Sequence, residues 1–215
     1  PNILGGILRF VLVWLFFYVD QIDILKVSYI MGLLVLFMTL SKFSWISFIM
    51  GAVYYLVQKK AGKSIKYVVG GFVLSVTLVS LCLPFLNGIK ALDSKPSFYR
   101  RADLLDSSYK LIKLKPLFGT GYSTSTAYID EYLPTSRDIR FAQPPHSMFV
   151  LLFLESGAFA LLFFSMFLFG KIKHSFSNKI LYISIMQIVF LGLFDHYFFT
   201  IHQSQLLFWL VLGLI

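Results

Sequence analysis

Charged residues are scarce in this chain: Asp, Glu, Lys and Arg make up 13% of its 215 residues, about half the roughly 25% usual in soluble domains. Acids are the scarcer sign, 10 against 19 Lys and Arg. So little charge cannot coat a water-soluble fold of this length. An apolar share of 58% and a mean hydropathy of +0.78 indicate an integral membrane protein instead. Cysteine is nearly absent too. Cys82 stands alone in an apolar run, which excludes a disulfide framework. There is no internal repeat, no low-complexity tract and no signal-peptide layout. Gly119-Thr120-Gly121 is too short for a nucleotide fingerprint and has no strand before it. Because Pro1 and Ile215 both fall inside apolar patterns, the chain is expected to be a fragment of a longer polytopic protein.

What is abundant is aromatic: 24 Phe and 12 Tyr bring the aromatic share to 18%, a composition suited to lipid contact and interfacial belts. The net charge of +9 would suit nucleic acid only if gathered on one soluble face. The cations are instead dispersed among apolar runs, so no nucleic acid is expected as a partner. They suit topology, membrane lipids and diphosphate groups.

A membrane-spanning helix needs about 20 mostly apolar residues. Seven stretches are candidates: 3–19, 24–40, 43–57, 67–86, 147–170, 180–199 and 203–215, the third and seventh being short. The expected architecture is all-α, a polytopic transmembrane helical bundle with one large extracytoplasmic loop containing an amphipathic helix. Its parts are four N-terminal spans (1–86), the loop (87–146) and C-terminal spans (147–215). Lysines set the orientation. The loops at 58–66, with Lys59, Lys60, Lys63 and Lys66, and at 171–179, with Lys171, Lys173 and Lys179, are both assigned inside. One span out and one span back then leave 87–146 outside, together with Ser41-Lys42 and Asp195-His196.

Within the loop the spacing predicts a helix over 100–114, with Leu104, Leu105, Ser108, Tyr109 and Ile112 on one face and Ser97 as N-cap. The other face holds Arg100, Arg101, Lys110 and Lys113, as for a helix lying on a membrane surface. Gly119 and Gly121 mark a tight turn after it. Three residues share the outer side: Lys42 at the start of the third span, Arg101 in the loop helix and His146 just before the fifth span. Two cations for a diphosphate and an imidazole that can take a proton near neutral pH form the residue mix for displacing a lipid-diphosphate leaving group.

These pieces also resemble a family. Ser41-Lys42-Phe43-Ser44-Trp45, Arg101 ahead of Pro116-Leu117-Phe118-Gly119-Thr120-Gly121, Pro145-His146-Ser147, Leu154-Glu155-Ser156-Gly157 and Leu193-Phe194-Asp195-His196-Tyr197 occur in the order of the O-antigen ligase and O-antigen polymerase superfamily. The resemblance implies a glycosyltransferase integral to the bacterial cytoplasmic membrane. It would move a glycan from an undecaprenyl-diphosphate carrier to a glycan, lipid or protein acceptor at the outer face, without cofactor or metal and with inversion. Carried over, His146 and Arg101 are the catalytic residues, and Lys42, Arg100 and Arg101 hold the diphosphate. Lys42 stands where the family usually has arginine and Ser147 where it usually has asparagine. Lysine keeps the charge but lacks the bidentate fork.

Glu155, Asp195 and His196 are expected as substrate contacts, since ionisable groups in or beside membrane spans are functional by default. Each residue has a plainer role as well. Arg100 and Arg101 suit lipid anchoring, Lys42 a snorkelling helix end, and Glu155 the capping of a helix break. His174, His196 and His202 are too scattered in sequence for a metal site. The competing class is a polytopic transporter or flippase of lipid-linked saccharides, which needs charge along a path through the bilayer. Intramembrane charge here is limited chiefly to Arg9 and Glu155, which favours an enzyme.

Overall fold

The structure, a computed structural model, describes residues 2–18, 23–39, 41–59, 97–132 and 143–215. Regular structure among the described residues is helical throughout. Helices α1 (Asn2–Tyr18), α2 (Asp23–Met38) and α3 (Lys42–Lys59) coincide to within a few residues with the first three stretches expected as spans. The span expected at 67–86 and most of the basic loop at 58–66 lie outside the described residues.

The chain forms two compact units. The first comprises residues 1–93 and 177–191. In it, α1, α2, α3 and most of α7 (Lys179–Phe194) enclose a core of Leu12, Val13, Tyr29, Leu33, Leu36, Phe48, Tyr55 and Ile183. Arg9 is fully buried there. Its Nε donates to the Gly6 carbonyl at 2.9 Å and its Nη1 to Ser47 Oγ, while Gln187 Nε2 donates to the Ser47 carbonyl at 2.9 Å. This expected intramembrane charge is therefore tied to backbone and hydroxyl oxygens, as a guanidinium out of water requires.

The second unit, residues 94–176 and 192–215, holds α4 (Ser97–Leu114), α5 (Ser125–Ile129), α6 (Met148–Ser175), α8 (Tyr197–Thr200) and α9 (His202–Leu214). Ser97 lies inside α4 rather than capping it from outside. The buried face of α4 also differs from the expected one. It consists of Asp103, Leu104, Ser107, Ser108, Leu111 and Ile112, whereas Tyr109 is exposed and Leu105 half-buried. The cause is hydrogen bonding. Ser107 Oγ donates to the Tyr132 carbonyl at 3.1 Å and Ser108 Oγ to the Leu104 carbonyl at 2.6 Å, so small polar residues enter the interior. Leu104, Leu111 and Ile112 meet Ile129 and Leu154, and α4 packs on α6 with its apolar face covered by protein rather than lying on lipid.

Helix α6, 28 residues with an 18-residue stretch of mean hydropathy 2.1, is the one helix among the described residues long and apolar enough to cross a bilayer by itself. It is not continuous. Gly157 has φ +79° and ψ −176°, outside the helical region, and a loop fills the break. Thr120 N–H donates to the Leu154 carbonyl, Gly121 N–H to the Glu155 carbonyl and Ala158 N–H to the Pro116 carbonyl, each at 2.9 Å. A Cβ on Gly157 would sit 2.1 Å from the Leu117 carbonyl oxygen, and one on Gly119, at φ +71°, 2.4 Å from the Glu155 carbonyl carbon. Positive φ and backbone-to-backbone approach both demand glycine.

The single span expected at 180–199 is divided: α7 stops at Phe194, and α8 is one turn beyond Asp195-His196. At the stop the Asp195 carbonyl accepts from Met148 N–H at 3.1 Å, and Asp195 Oδ1 accepts from His196 N–H at 2.9 Å. Side-chain and tertiary partners thus replace the helical ladder, as short polar side chains at helix ends commonly do.

Candidate active site

Helix α6 begins at Met148, so its first amides have no partner within the helix. Ser147, extended at φ −159°, supplies the cap. Its Oγ accepts from Val150 N–H and donates to the Gly192 carbonyl, both at 3.4 Å. Met148 N–H is taken by Asp195. These bonds seat His146, immediately before the cap, against the Asp195-His196 turn. Ser147 in place of asparagine therefore anchors the helix start, while the histidine ring faces neighbours of its own.

Those neighbours are Asp195 and His196. His146 Nδ1 lies 3.7 Å from Asp195 Oδ1, and the His146 and His196 rings are tilted with centroids 5.3 Å apart. Nδ1 is buried without a hydrogen-bond partner, and 3.7 Å is an electrostatic contact rather than a hydrogen bond. Arg101, half-buried on α4, donates from Nη1 to the Phe194 carbonyl at 3.2 Å, beside the same turn and at the C-terminal end of α7. His196 Nδ1 meets Thr200 Oγ1 at 2.8 Å, which closes the turn onto α8.

The electrostatics are internally consistent. Burial alone would raise the Asp195 carboxyl, but His146 and His196 outweigh it and hold the group below the usual carboxylate value. Burial, together with His146 and Arg101, pushes His196 below its ordinary value against the opposing pull of Asp195. At neutral pH the site therefore contains an ionised carboxylate and a neutral His196.

Arg101, His146, Asp195 and His196 thus come together. Lys42 opens α3 in the other unit, and its side chain and that of Arg100 lie outside the described set. Glu155 is elsewhere in the second unit: Oε2 accepts from Ser123 N–H at 2.9 Å and Oε1 from Ser125 N–H at 3.3 Å. It fixes the loop after Gly121, including Ser123 at φ +60°. The His146–His196 pairing was missed in sequence because two helices, α6 and α7, separate the two residues. The one available signal was that Asp195-His196 interrupts an apolar run.

His146, Asp195 and His196 also have donor atoms within 4.8 Å of one another, the composition of a two-histidine, one-carboxylate metal set. Two of their atoms are already engaged, Asp195 Oδ1 by His196 N–H and His196 Nδ1 by Thr200. Asp195 Oδ2, His196 Nε2 and the His146 nitrogens stay unengaged by those two bonds, so each of the three residues keeps a donor atom.

An imidazole beside a carboxylate, an arginine at a helix end and an apolar helix of membrane-spanning length thus occur together in this chain. The O-antigen ligase family model matches residues 27–165, more than half of the chain, and the chain belongs to that family. The family acts in glycan transfer on lipid-linked substrates. No curated protein and no solved structure matches the chain. The matched stretch includes Lys42, Arg100, Arg101, His146 and Glu155 and stops short of Asp195 and His196.

Proposed function

We propose that this chain transfers a glycan from an undecaprenyl-diphosphate carrier to an acceptor hydroxyl at the outer face of a multi-pass cytoplasmic-membrane protein. The observation that carries this reading is the convergence of His146, Asp195 and Arg101 on one turn. His146 Nδ1 faces the Asp195 carboxylate, so Nε2 is the nitrogen that takes the proton from the acceptor hydroxyl. The freed oxygen bonds to the anomeric carbon as the bond from that carbon to the diphosphate oxygen breaks. Undecaprenyl diphosphate leaves with the electron pair, and a single displacement inverts the centre. Asp195 stabilises the imidazolium so formed. Catalytic hydrogen bonds are often long before substrate arrives, which accommodates the 3.7 Å spacing.

Arg101, bonded beside the same turn, is assigned to the departing diphosphate, with Arg100 and Lys42 as further cations. The scheme asks no metal of the site, and the acceptor is a glycan, a lipid or a protein. The test is His146→Ala in the full protein, supplied with an undecaprenyl-diphosphate glycan and candidate acceptors. Loss of a general base removes roughly 10²- to 10⁴-fold in rate. Wild-type transfer by a correctly inserted variant refutes the assignment.

A further inference from the structure

The second unit contains a cavity of about 260 Å³ that the reaction scheme does not use. Its wall includes Tyr122, Thr126, Glu155, Phe199, Thr200 and Gln205, with Leu151 and Leu152 beneath. No Lys, Arg or His is among its described lining residues, and the one formal charge is the Glu155 carboxylate. A phosphate or diphosphate would meet an anion there without a counter-charge, which excludes the lipid-diphosphate head as occupant. Hydroxyl, amide and carboxylate groups beside two aromatic rings instead match a ligand with hydroxyls on its rim and apolar C–H faces. That is the chemistry of a saccharide. The volume falls below the roughly 300–1,000 Å³ of drug-sized sites, so the fit is to one sugar unit rather than a long segment.

The location adds direction. Phe194 takes the Arg101 guanidinium, Asp195 faces His146, and Thr200, bonded to His196 Nδ1 at 2.8 Å, forms part of the cavity wall. Residues 194–200 thus carry in order the cation, the base and the cavity. Thr200 joins the cavity wall to His196, whose ring meets that of His146, so two successive contacts link the cavity to the proposed base. The wall is also held firmly: both Glu155 oxygens accept backbone N–H groups of Ser123 and Ser125, and Gln205 Nε2 donates to the Phe199 carbonyl at 2.5 Å.

We infer that this cavity is the acceptor-saccharide subsite, seating one neutral sugar unit whose hydroxyl is presented to His146. The acceptor assignment rests on the glycan-transfer reading, whereas saccharide binding stands apart from it. The experiment uses the full protein in lipid nanodiscs, with methyl glucoside and methyl N-acetylglucosaminide as probes in saturation-transfer NMR. Saturation transfer is expected for the unaltered protein and should fall about tenfold in Tyr122→Ala, where the side chain is exposed and its removal spares the core, and in Thr126→Phe, which fills the cavity. Inorganic pyrophosphate should not compete. In transfer assays the two variants should raise the acceptor KM by about tenfold and leave the donor KM unchanged. Absent saccharide binding, binding indifferent to both substitutions, or displacement by pyrophosphate overturns the inference. Transfer with unchanged acceptor KM in both variants also defeats the cavity and leaves the transferase reading intact. Saccharide binding lost in the variants of a protein that transfers nothing upholds the cavity as a sugar site and defeats the transferase.

Discussion

Replacing Asp195 by Asn keeps the shape of the turn and removes its charge. The magnitude follows from the 3.7 Å separation between His146 Nδ1 and Asp195 Oδ1, which gives ~4.5 kcal/mol for an imidazolium and carboxylate at an effective dielectric of about 20 and ~1 kcal/mol in bulk water. The two side chains are 21% and 13% exposed, so the pair sits nearer the first value than the second. A loss of ~3 kcal/mol of imidazolium stabilisation in the transition state corresponds to a fall of roughly 10²-fold in kcat. The asparagine still accepts from His196 N–H through its amide oxygen, so insertion and folding should survive. Single-turnover transfer is the assay. An unchanged rate in a correctly inserted Asp195→Asn variant refutes the pairing of Asp195 with His146.

Gly157→Ala would place its Cβ 2.1 Å from the Leu117 carbonyl oxygen at a positive φ, and should cost roughly 2–4 kcal/mol, read as a lower unfolding temperature in detergent. Because His196 is held below its ordinary value of 6.5, the unfolded chain takes up this proton first on acidification, so stability should decline as pH falls through about 6.5. A pH series of thermal unfolding checks this, and His196→Gln should flatten that part of the curve. A chelator should leave transfer unchanged, as expected where the histidine-carboxylate trio works through charge and hydrogen bonds. Activity lost to chelation and restored by a divalent ion would reassign the trio as a metal centre.

Long apolar runs were readable because a lipid-facing helix needs little more than length and hydropathy. Hence α1, α2 and α3 fall where the pattern puts them. Where a tertiary contact competes with local pattern, the pattern misleads. Tyr109 has the right spacing for the buried face of α4 and is exposed, whereas Ser107, outside that expected face, takes the interior with the Tyr132 carbonyl there to receive its hydroxyl. The apolar run around Gly157 reads as one span, and only the arrival of the 116–121 loop shows that it is broken. Arg101 and His146 can be singled out from sequence, but the ring pairing of His146 with His196 depends on how α6 starts against the end of α7.

The joint between the glycine turn and α6 also limits how members of this family can diverge. A break at membrane depth is tolerable only when its backbone groups find partners, and here those partners are supplied by Pro116, Thr120 and Gly121. Residues 115–121 and 154–158 therefore have to change together, and the 122–132 segment is tied to the same joint through the Ser123 and Ser125 amides on Glu155 and through buried Ile129. Changes aimed at the cavity belong at its exposed positions such as Tyr122, which leave those anchors in place.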